Sequence, residues 1–96
     1  MDLKLAKKNA LITGGSKGIG FAIAKLFAAE GANVAICARG AEDVASATSV
    51  LAARGVKSFG QAIDVADPGK LKGWVEGAAT EFGGIDALVC SVSALA

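Results

Sequence analysis

A doubly wound α/β fold on a parallel sheet is predicted for this 96-residue chain. Three observations carry that expectation. Short apolar runs alternate with segments of helical period in the order βαβαβαβ. The runs are too apolar to have the wet face of an antiparallel strand, so helices must cover both sides of the sheet. Glycine falls at most of the junctions, where turns and helix ends need it. Right-handed crossovers then give the strand order 3-2-1-4, the first half of such a sheet.

Each element has its own signal. Asn9 to Thr13 is an apolar run ending in a glycine loop. From Ile19 the apolar residues Ile19, Ile23, Leu26 and Phe27 mark one helical face, and Gly31 closes that helix. Asn33 to Ala38 reads as a buried strand. A second helix runs from Ala41 to Arg54, with Glu42 and Asp43 in the first turn where the helix dipole favours acids, and Gly55 stops it. A third strand covers Lys57 to Ile63. Asp67-Pro68 is an N-cap followed by proline at the first helical position. The helix behind it carries Leu71, Trp74, Val75, Ala78 and Phe82 on one face and ends at Gly83-Gly84. Asp86 to Cys90 is the fourth strand. Its outer edge, with Ala87, Leu88 and Val89, is expected to be open and apolar.

Composition narrows the function classes. Ten Lys+Arg against nine Asp+Glu leave +1, no excess charge to draw the chain to nucleic acid or an acidic membrane. Hydrophobic residues reach 53%, which excludes disorder, but 21 are alanine, so the core is finely grained. No apolar run is long enough for a signal peptide or a membrane span, and a reducing cytoplasm is the expected setting. With no histidine and only Cys37 and Cys90, zinc sites of the usual kind are out and no metal is expected. The strand order puts these cysteines about 9.6 Å apart, two strand spacings, beyond the roughly 7 Å reach of a disulfide. Both are expected to be buried small hydrophobes.

The segment that carries chemistry is Thr13-Gly14-Gly15-Ser16-Lys17-Gly18-Ile19-Gly20. It follows a strand and opens a helix, the setting of a phosphate-binding loop. Small residues let backbone approach a pyrophosphate, and the N–H groups of Gly18, Ile19 and Gly20 face it from a helix N-terminus. A bare turn would not need three spaced glycines.

This loop resembles the cofactor signature of the short-chain dehydrogenases/reductases, and the resemblance runs the length of the chain. It implies a Rossmann-like fold, a nicotinamide cofactor, and a small-molecule carbonyl or alcohol as substrate. It implies that Gly14, Ser16, Lys17, Gly18, Ile19 and Gly20 bind cofactor. Asp64-Val65 is similar to the family's Asp-Val pair, whose carboxylate accepts from the adenine amino group while the next backbone N–H reaches the ring. Cys90-Ser91-Val92-Ser93 stands where the family carries Asn-Asn-Ala-Gly, the stretch that lines the nicotinamide-side ribose, and places Cys90, Ser91 and Val92 among the cofactor contacts.

Charge selects between the two nicotinamide cofactors. NAD needs an acidic residue at the end of the second strand to hold the ribose 2′-hydroxyl. That position is Ala38, followed by Arg39, while Lys17 sits in the glycine loop. A guanidinium and an ammonium suit a 2′-phosphate, so NADP(H) is expected. In the family, proton transfer belongs to a Ser-Tyr-Lys arrangement beyond the fourth strand, and this sequence contains no tyrosine. Residues 1–96 are therefore expected to be the N-terminal part of a single NADP(H)-binding domain, without catalytic residues of their own. The full-length protein is expected to interconvert a carbonyl and an alcohol by hydride transfer, as a dimer or tetramer. The alternative is a short non-catalytic module that binds or senses nucleotide.

Overall fold

The computed structural model describes residues 5–90. Seven elements follow in order: β1 (Asn9–Thr13), α1 (Gly18–Ala29), β2 (Asn33–Ala38), α2 (Ala41–Ala52), β3 (Ser58–Ala62), α3 (Pro68–Phe82) and β4 (Ala87–Cys90). The sheet is parallel in the order β3-β2-β1-β4, as predicted. Among the described residues no helix is long and apolar enough to cross a membrane.

Alternation along the two central strands divides the core. Ile12, Val34 and Ile36 face Ala24, Ala28, Val44, Ala47 and Leu51 of α1 and α2. Leu11, Ala35 and Cys37 face Trp74 and Ala78 of α3, together with Ile63. Both faces of β1 and β2 are dry. The cap on α3 forms as read: the Asp67 carboxylate accepts from the backbone N–H of Gly69 at 3.0 Å and of Lys70 at 3.2 Å. Gly31, Gly55 and Gly83 stand at the three helix ends with positive φ.

Polar side chains fix the other end of the sheet. The backbone N–H of Asn9 donates to Asp86 Oδ2 at 2.8 Å, and that of Asp86 donates to the Asn9 carbonyl. Asn33 Nδ2 donates to Asn9 Oδ1 at 2.9 Å, and Asn33 Oδ1 accepts from the backbone N–H of Lys57. These contacts link the N-terminal ends of all four strands and reinforce the register.

Three expectations are corrected. The buried face of α1 is Gly20, Ala24 and Ala28, while Ile19 and Leu26 are 77% and 46% exposed. Small residues let the helix lie close on the sheet, and Ile23 and Phe27 only flank the contact. Secondly, the strands are not uniformly dry. The end of β3 and alternate residues of β4 are exposed, because both strands lie at sheet edges. Thirdly, Cys37 is buried but Cys90 is exposed. Cys90 pairs with Thr13 and Leu88 with Leu11 in the register, so both share the face on which α3 lies. That helix packs on β1, β2 and β3, which leaves this part of β4 uncovered.

Candidate cofactor site

The candidate site lies at the C-terminal ends of the strands, where a parallel sheet presents its connecting loops. The Gly14 N–H donates to the Cys37 carbonyl at 2.8 Å, which ties the start of the glycine loop to β2. Gly15 packs so tightly that a Cβ there would come within 2.5 Å of Ile36 Cγ2. Gly14 and Gly18 take φ of 68° and 57°, the left-handed region that favours glycine. A Cβ on Gly18 would meet nothing within 4 Å.

The helix behind the loop begins without a cap. Lys17 is its N-cap in extended conformation, no side chain accepts from the first turn, and no acidic residue lies in it. The first helical hydrogen bond runs from the Phe21 N–H to the Lys17 carbonyl at 3.2 Å. A helix N-terminus with its partial positive charge uncompensated is suited to an anion. Ser16 is half-buried beside it, and Gly20 packs its inner side on the core.

Around this loop the charged residues are paired. Lys17 Nζ lies 3.0 Å from Asp43 Oδ2, in the first turn of α2. Arg39 Nη2 lies 3.9 Å from Asp64 Oδ2, so β2 and β3 deliver their terminal charges to one place. Asp64 Oδ1 also accepts from the Ala66 N–H at 2.9 Å, which shapes the turn after β3. A cleft of about 330 Å³ lies between Arg39, Ile63, Asp64, Asp67 and Lys70. Val65 turns its half-buried side chain onto the α3 side of the core.

Of the residues picked out in the sequence, the structure gathers Gly14, Ser16, Lys17, Gly18, Ile19 and Gly20 at one loop, with Arg39 and Asp64 at the neighbouring strand ends. Cys90 ends β4 on the cross-strand register with Thr13. Ser91 and Val92 lie outside the described residues. The role of Asp43 was missed: its place in the first turn was legible, but not the lysine it meets. Burial pushes the Cys37 thiol up from its ordinary 9.0 to about 11, with a smaller contribution from Cys90 and a lowering backbone hydrogen bond at Gly14. It is a packing group beneath the site. Among the described residues no cluster of His, Cys, Asp or Glu could hold a metal ion.

The family model for short chain dehydrogenases matches residues 8–95. The chain belongs to the short-chain dehydrogenase family. Its relatives include a granaticin polyketide synthase putative ketoacyl reductase of Streptomyces violaceoruber, 42% identical over 84 residues, 88% of this chain and 31% of the relative. L-Sorbose reductase of Gluconobacter frateurii, solved with NADPH and L-sorbose, superposes with a TM-score of 0.91 at 40% identity, over 97% of this chain and 36% of that one. An NAD+-bound xylitol dehydrogenase superposes with a TM-score of 0.85 at 30% identity, over 88% of this chain and 33% of that one. The chain thus spans about a third of the length of these relatives. A short-chain dehydrogenase fold accommodates either nicotinamide cofactor, so the choice rests on the side chains around the loop.

Proposed function

We propose that residues 1–96 are the NADP(H)-binding part of an oxidoreductase that interconverts a carbonyl and an alcohol. The observation that carries the cofactor choice is the end of β2. Ala38 stands where a carboxylate would read a ribose 2′-hydroxyl, and Arg39 beside it is 80% exposed at the crevice. Its guanidinium has five N–H donors in a planar fork, enough to keep Asp64 and still engage a 2′-phosphate. The uncapped start of α1 and the open space at Gly18 fit a pyrophosphate on the same side of the sheet.

In this reading the backbone N–H groups of Gly18, Ile19 and Gly20 hold the pyrophosphate, with Gly14 and Ser16 shaping the approach. Lys17 and Arg39 meet the 2′-phosphate. Asp64 accepts from the adenine amino group, and the Val65 N–H reaches the ring. Cys90, with Ser91 and Val92, lines the ribose on the nicotinamide side. A nicotinamide held there would supply hydride transfer. The sequence contains no tyrosine, so in this reading residues 1–96 position the nucleotide and supply no proton donor of the family's kind. Equilibrium titration of the whole protein tests the assignment. NADPH should bind more tightly than NADH, and equal affinities would contradict it.

A further inference from the structure

Lys17 and Asp43 form the shortest ion pair among the described residues, and the two partners are held unequally. The Asp43 carboxylate folds back over the start of α2. A Cβ on Gly40, the N-cap of that helix, would lie 3.1 Å from Asp43 Oδ2, so the missing side chain of Gly40 leaves the carboxylate its room. Gly40 offers no side-chain cap, and the positive end of the helix dipole retains an acid in the first turn. Lys17, in contrast, is 75% exposed on a flexible four-carbon stem that leaves the extended N-cap of α1. The ammonium is the more exposed partner, and the shorter carboxylate side chain, 48% exposed, has less freedom to move.

We propose that Asp43 is a specificity-determining residue, a counter-ion that competes with the nucleotide 2′-phosphate for Lys17. This rests on the NADP(H) reading of the site. A phosphate that takes Lys17 must draw it from Asp43 and then sit near that carboxylate. Both effects weaken the phosphorylated cofactor, while a cofactor with a free 2′-hydroxyl leaves the pair closed. Asp43 therefore moderates the preference that Lys17 and Arg39 create, and holds Lys17 against α2 until the phosphate arrives.

The test is calorimetric titration of the whole protein and its variants with NADPH and with NADH. Asp43→Asn should tighten NADPH binding about two- to fivefold, the range of an exposed ion pair, and leave NADH unchanged. Asp43→Ser, which keeps a short polar side chain without the charge, should give the same gain if the asparagine variant proves unstable. In a Lys17→Ala background the gain from Asp43→Asn should shrink. Unchanged or weaker NADPH binding in both Asp43 variants overturns the proposal, as does an equal gain for NADH. Arg39→Ala separates the two levels. If it shifts the NADPH-to-NADH ratio and the Asp43 variants do not, only the role of Asp43 fails. If it leaves the ratio unmoved, the NADP(H) reading fails and the role of Asp43 with it.

Discussion

Gly18 shows what one residue contributes at this site. Its φ of 57° lies in the left-handed region, and the space its side chain would enter is open. Gly18→Ala should cost about 1–2 kcal/mol of stability from backbone strain alone, because no neighbour is struck. In the proposed site that methyl meets the pyrophosphate, so NADPH and NADH should both bind at least about tenfold more weakly, the loss of one charge-assisted hydrogen bond or more. Titration beside a denaturation curve separates the two effects. Cys37 makes a different prediction. Its thiol pKa is raised to about 11, so the folded state retains a proton that the unfolded chain releases near 9.0. Its contribution to stability is therefore full below pH 9 and is lost as pH rises through about 11. Native protein at pH 8 should resist alkylation at Cys37, and the same protein in urea should not, as read by peptide mass mapping. At this scale the sequence showed the loop, because glycine spacing is a backbone property. It did not show the two ion pairs, because Lys17 and Arg39 find Asp43 and Asp64 only once separate loops converge.

Among the elements, α1 is where sequence and structure differ most. Periodicity favoured Ile19 and Leu26 because hydrophobic pattern weighs large side chains, whereas the contact with the sheet is made by Gly20, Ala24 and Ala28. A helix laid this close on β1 and β2 needs small residues, and an alanine-rich sequence hides them in its background composition. Enlarging that face should therefore be costly. Ala24→Leu, at a position fully buried, should destabilise by about 1–3 kcal/mol, whereas Leu26→Ala on the exposed side should stay within about 0.5 kcal/mol. Urea unfolding of both variants decides between the two faces. The remaining elements were legible for local reasons. Asp67-Pro68 marks the start of α3 within its own turn, and the strands are short and apolar. The Asn9, Asn33 and Asp86 contacts were not, since they depend on strands far apart in sequence lying at one level.

At the largest scale, the described residues form a four-stranded sheet whose two central strands are sealed and whose β4 side is open among those residues. Leu88 is 57% exposed, as expected of an open edge, and Cys90 is exposed on the same face although the sequence suggested that it would be covered. Apolar composition tells which residues seek cover, and not which element supplies it. Residues 1–96 alone should therefore self-associate through this side, with sedimentation that depends on concentration and a reduced dependence in Leu88→Lys. A cooperatively folded monomer at high concentration would contradict this. The sheet order was legible because right-handed crossovers in a doubly wound fold of this type give 3-2-1-4, and that order brings the ends of β1, β2 and β3 to one crevice. Central to the account is that this crevice selects NADP(H) through Arg39. The most direct measurement is the ratio of NADPH to NADH dissociation constants in the whole protein, with and without Arg39→Ala. A charge-assisted contact of roughly 1.5–3 kcal/mol predicts that NADPH weakens by about one to two powers of ten while NADH binds as before. A ratio that does not move in Arg39→Ala would contradict the account.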